Sequence, residues 1–129
     1  MEGGHVPGIG SCLTEIMSIP GALDAMLVDQ TSGMAVAFSG PSGVDADRAA
    51  AALAEVLRAT AGGLARSCPG DVVRVDDMIV TTDKGHHLLT PLETAVEGPL
   101  VIYVRLDLER SEPVSARRLL RSIAGRLTT

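Results

Sequence analysis

Residues 22–40, ALDAMLVDQTSGMAVAFSG, decide the fold of this chain. Leu23 to Val28 is one strand-like run and Met34 to Phe38 is a second. Between them, Asp29 to Gly33 supplies the Asp, Ser and Gly that favour turn geometry. The stretch therefore reads as strand, turn, strand. So short a connection joins antiparallel neighbours, because a parallel pair needs a crossover of about a dozen residues. GPSG, at 40–43, then breaks the second strand.

Upstream, Ile9, Cys12, Leu13, Ile16 and Met17 recur at helical spacing, and this short helix ends before Pro20. Downstream, a long helix is predicted from about Val44 to Arg66, with Ser42 as its cap and Asp45 near the positive end of its dipole. Projected at 100° per residue, Ala46, Ala49, Ala50, Leu53, Val56, Leu57, Thr60 and Leu64 share one face. Both flanks are small: Ala52, Ala59 and Gly63 on one side, Ala54, Ala61 and Ala65 on the other. A helix that keeps Gly62-Gly63 gives up about 1 kcal/mol per glycine relative to alanine. That cost is consistent with a second helix backbone passing close by, or with a helix that is merely alanine-rich.

Three strand-like segments follow: Asp71 to Thr81, His86 to Thr90 and Pro99 to Leu108. TPLETAVEG, between the last two, reads as a polar loop. Ser111, Glu112 and Pro113 announce a final helix whose apolar face is Ala116, Leu119, Leu120, Ile123, Ala124 and Leu127, with Arg118, Arg121 and Arg126 pointing outward. The order α-β-β-α-β-β-β-α, with short connections between strands, makes an α+β sandwich: helices packed on an antiparallel sheet. Residues 1–8 are Gly-rich and read as loose, and 9–129 as a single domain.

Composition narrows the function. Of 129 residues, hydrophobic ones make up 46% and aromatic ones 2%, so the core is aliphatic and stacking platforms for single-stranded nucleic acid are scarce. A net charge of −5 offers no global attraction to phosphate backbones or anionic lipid. MEGGHVPGIG has no basic region followed by an apolar run, and LVIYV, at 100–104, is far too short to span a bilayer. The cytoplasm is the expected compartment. Cys12 and Cys68 lack C-x-x-C spacing and read as buried free thiols.

The enzyme question turns on TTDKGHHLLT, at 81–90, which holds two of the three histidines. Asp83-Lys84-Gly85 is a hairpin loop. Successive strand side chains point to opposite faces, so His86 and His87 cannot share one ion on a regular strand. The third histidine, His5, lies near the start of the chain, and no spacing recommends Cys68 or Asp77 as further ligands. One histidine is expected to face solvent and the other to cap the edge of the core. No phosphate-loop pattern is present, SGPSG reads as a helix-start turn, and Asp76-Asp77 read as solvated charges. No catalytic residue, metal or cofactor is expected; a metalloenzyme dependent on His86 is the enzymatic alternative.

IMSIPGALDAMLVDQTSGMAVA, at 16–37, resembles the opening of roadblock/dynein light chain domains. The matching elements are Pro20-Gly21-Ala22, Leu27-Val28-Asp29 and Ser32-Gly33. MIVTTDKGHHLLTPL, at 78–92, is similar to the family's later hairpin, and the likeness runs from about Gly8 to Leu127. One departure is DQTSG, a residue longer than the family's usual first turn, which leaves the register of that hairpin open. The resemblance implies a five-stranded antiparallel sheet with the long helix on one face and the terminal helices on the other. It also implies a homodimer in which the strand before DKG pairs with its copy and the two long helices meet. Residues matching that contact are Ala52, Ala59 and Gly63 on the helix and Val73, Val75, Asp77 and Ile79 on the strand. It further implies a non-catalytic regulator or adaptor of a small Ras-like GTPase in bacterial signalling. The alternative is a scaffold or sensor subunit of a signalling complex, beside a sensor-kinase-like protein and without GTPase contact. Arg118, Arg121 and Arg126 are the candidate partner-binding residues. They are also readable as a solvated helix face.

Overall fold

A computed structural model describes residues 8–68, 70, 72–94 and 98–127. The expected looseness of residues 1–8 and the placement of His5 and Asp71 fall largely outside these residues. Among these residues, three helices and five strands follow the expected order: α1 Ile9–Met17, β1 Ala22–Asp29, β2 Ala35–Ser39, α2 Ala46–Ser67, β3 Met78–Thr82, β4 Gly85–Thr94, β5 Gly98–Leu106 and α3 Pro113–Leu127.

The strands form one antiparallel sheet in the order β2-β1-β5-β4-β3. Strand alternation divides its side chains between two cores. Leu27, Leu88, Ile102 and Val104 meet α1 and α3, while Met26, Val28, Leu89 and Val101 meet α2. The long helix thus covers one face and the terminal helices the other. The first turn is held by Asp29, whose carboxylate accepts the N–H groups of Thr31 and Ser32 at 2.8 and 3.0 Å. The pairing of β1 with β2 carries a register shift between Leu27 and Val28. In the Pro-Gly link, Gly21 has φ +86°, and a Cβ there would lie 2.6 Å from that of Ser111.

Several boundaries differ from the sequence reading. β4 does not stop at Thr90; it continues through Pro91, Leu92 and Glu93, each paired with β5. Proline is tolerated there because β3 ends opposite Leu89, leaving β4 as the sheet's edge beyond that point. β3 is shorter than expected. Residues 72–77 form no strand, so Val73, Val75 and Asp77 lie outside it, although exposure still alternates along them. α2 begins at Ala46, capped by Asp45 rather than Ser42: the Asp45 carboxylate accepts the Arg48 N–H at 3.1 Å. α3 is capped by Glu112, which accepts the Val114 and Ser115 N–H groups, while the Ser111 hydroxyl turns back to the Asp107 carbonyl. Cys12 is buried as expected, but Cys68, just past the end of α2, is exposed.

Candidate interaction surface

α2 meets the sheet through Ala50, Ala54 and Leu57. This contact face is rotated towards Ala54 relative to the apolar stripe in the sequence. The first turn packs on that side: a Cβ on Gly33 would meet Ala51 and Ala54 at 3.7 and 3.8 Å, ordinary contact distances. Small residues on that flank let the helix settle onto the turn. The Ala54 flank is therefore used inside the protomer, with Ala61 half-buried. Val56 and Leu64, expected in the core, are 43% and 46% exposed. The outward side of α2 carries Ala52, Val56, Ala59 and Gly63, spaced four, three and four residues apart, of which Ala52 and Ala59 are exposed and Gly63 half-buried. This stripe is nearly opposite the buried one, and it is bare enough for another helix to approach.

The sheet too has an open border. Among the described residues, β3 has only β4 as a neighbour, and Ile79 and Val80 are 39% and 42% exposed on it. The other edge, β2, is half-buried throughout and touched by both α1 and α2. An apolar strand edge left open invites pairing with another strand.

The histidines occupy this hairpin on opposite faces of β4. His86 Nδ1 is hydrogen-bonded to the Thr81 hydroxyl at 2.8 Å. His87 is bonded at both nitrogens, to the Thr82 hydroxyl and the Tyr103 hydroxyl, each at 2.8 Å, and its ring stacks on Tyr103. Burial, then the Arg105 guanidinium, hold the His87 pKa below the ordinary histidine value, with Asp24 opposing them. Burial raises the Tyr103 phenol to about 12, so it is a neutral hydrogen-bonding group. Arg105 spans the strands by donating to Asp24 at 2.8 Å and to the Lys84 carbonyl at 2.8 Å. Among the described residues, no group of three His, Cys, Asp or Glu side chains comes together. Asp24, Thr82, Tyr103 and Arg105 escape notice in the sequence because only sheet register brings them together.

The arginines of α3 are more engaged than the sequence suggests. Asp77 accepts from Arg117 at 2.8 Å and from Arg121 at 2.6 Å, fastening the segment before β3 to α3. Arg126 is paired with Glu15 of α1. Arg121 and Arg126 are exposed, but they are committed to contacts within the chain; Arg118 is also on the exposed side of α3. Leu119, expected in the core, is exposed there as well. Cys12, under this layer, is a thiol that burial pushes up to about 11. A groove of about 490 Å³ opens where β4 runs past β3, lined by Leu57 and Ala61 of α2, Val75, Thr90, Leu92 and Arg121.

The arrangement matches several solved structures. Myxococcus xanthus MglB superposes with a TM-score of 0.72 at 18% identity, covering 95% of each chain. A roadblock/LC7 domain from Streptomyces avermitilis matches with a TM-score of 0.63 at 21% identity, over 90% of this chain and 93% of that one. The chain has the roadblock/LC7 fold. A further roadblock/LC7-fold match is the gliding protein MglB from Thermus thermophilus, with a TM-score of 0.60 at 22% identity, over 97% of this chain and 98% of that one. No family sequence model and no curated protein matches the chain. No helix among the described residues is long and apolar enough to cross a membrane.

Proposed function

We propose that this chain is a homodimeric, non-enzymatic regulator of a small Ras-like GTPase in bacterial signalling. The observation that carries the proposal is that two features stay open on one protomer: the outward stripe Ala52, Val56, Ala59 and Gly63 of α2, and the β3 edge. The protomer has a helix flank and a strand border suited to a second copy. Pairing two β3 edges through Ile79 and its neighbours would join the sheets, with the α2 stripes as the second contact of the dimer. A structure described as MglB with a tetrameric arrangement shares the fold, with a TM-score of 0.65, which supports self-association. The likeness to MglB structures also supports the Mgl-type GTPase as partner.

The chemistry is indirect. A dimer surface that binds one arrangement of a GTPase's switch segments more tightly than the other shifts their population by its differential affinity. The partner-binding role of Arg121 and Arg126 requires their pairs with Asp77 and Glu15 to open, whereas Arg118 is the best placed of the three. Val73 and Val75 join the dimer contact only if residues 72–77 extend β3. The test is capture of a purified Mgl-type GTPase, loaded with GDP or with a non-hydrolysable GTP analogue, on the immobilised protein. Capture that depends on the nucleotide supports regulation. Absence of capture in both states favours the scaffold reading, in which the dimer serves a larger complex.

A further inference from the structure

We infer that residues 72–77 are a strap that closes onto the free edge of β4, lengthening β3 and filling the groove. Three observations meet here. β4 has ten residues and β3 only five, so residues 90–93 of β4 pair with β5 but have no strand on their outer side among the described residues. The chain immediately before β3 runs past that side without joining it: no backbone hydrogen bond links residues 72–77 to β4 among the described residues. The groove of about 490 Å³ lies between the two, with Arg74 and Val75 on one wall and Pro91, Leu92 and Glu93 on the other.

The segment is already shaped for closure. Its exposure alternates residue by residue, as in a strand. Continuing the register from Met78–Leu89 sets Asp77 opposite Thr90, Val75 opposite Leu92 and Arg74 opposite Glu93. The last pair is a cross-strand cation and anion. What keeps the strap open is visible as well. Positions 75 and 77 of a regular strand point to the same face, yet here they serve opposite layers. Asp77 is held by Arg117 and Arg121 of α3, while Val75 packs against the core beneath α2. Closing turns Val75 towards Leu92, which belongs to the other core. Asp77 is the pivot. Pro91, which has no N–H to donate, keeps the closed pairing weak enough to reverse.

Closure sets how much strand the outer edge offers. That consequence rests on reading β3 as the dimer edge, although the strap itself does not. The test uses two double-cysteine variants in a Cys68→Ser background: Arg74→Cys with Glu93→Cys, which face each other when the strap is closed, and Val72→Cys with Glu93→Cys, which do not. All four replaced side chains, Cys68 included, are exposed, so folding is not at stake. A disulfide requires Cα atoms within about 7 Å, which an adjacent strand pair provides. Under mild oxidation, the first variant should form an intramolecular disulfide at least tenfold faster than the second. Equal rates, no bond, or a bond only between chains would overturn the strap. A failure here leaves the mass of the wild-type oligomer untouched, so it is separable from a failure of the dimer reading.

Discussion

Asp77 shows how one side chain can carry structure across layers. In the sequence it stands beside Asp76 and reads as a solvated charge or a strand-edge residue. In the fold its carboxylate is largely covered and takes two guanidinium groups from α3. Hydrogen bonds to charged groups contribute about 1.5–3 kcal/mol when sheltered, and solvent around the half-exposed arginines reduces that. Asp77→Asn should therefore lower stability to urea by about 1 kcal/mol; an unchanged midpoint would show that the clasp is only a surface contact. His87 gives a pH signature. Its pKa is depressed in the folded state, so the unfolded chain takes up a proton first as pH falls below about 6.5. The stability contributed by neutral His87 is thus complete above that pH and is lost as pH falls through the folded value. The wild-type urea midpoint should fall more steeply below pH 6.5 than that of His87→Asn. Parallel curves would mean that His87 is solvated alike in both states.

At the scale of elements, the sequence shows which segments are helix or strand more clearly than where they end. α1 is readable because its apolar residues recur at helical spacing before Pro20, and β1 because an unbroken apolar run, Ala25 to Val28, ends at Asp29. β4 reads short in the sequence because Thr90, Pro91 and Glu93 look like a loop, and only the nearby β5 keeps them in the sheet. β3 reads long because VVRV has strand composition, whereas contacts to α2 and α3 pull its residues apart. Periodicity also places the core face of α2 too far from Ala54, since packing of the helix against the sheet and first turn is a tertiary fact. Two glycines separate the explanations for that helix. A Cβ on Gly62 would lie 3.6 Å from the Arg66 side chain, and one on Gly63 would lie 4.0 Å from it. Each change to alanine should raise protomer stability by about 0.5–1 kcal/mol. Gly63→Ala, on the outward stripe, should also weaken self-association, while Gly62→Ala should not. Equal effects of the two on association would leave the stripe with no role in contact.

The whole molecule presents an unfinished surface. Two cores are closed by three helices, and the β2 edge is partly shielded by α1 and α2. What remains open is the β3 edge with the groove beside residues 72–77, and the outward flank of α2. The layered architecture is legible in the sequence because it needs only element order and apolar faces. The side that stays open is only partly legible, because the core consumes one small-residue flank of α2 and spares the other. The direct measurement is the mass in solution by light scattering, for the wild type and for Ala59→Arg. Twice the chain mass of 13.3 kDa is expected for the wild type, with a shift towards the single-chain mass when the arginine is placed on the stripe. A wild-type protein that stays at the single-chain mass across concentrations, or an arginine variant that dimerises as tightly as the wild type, would contradict a dimer built on that stripe.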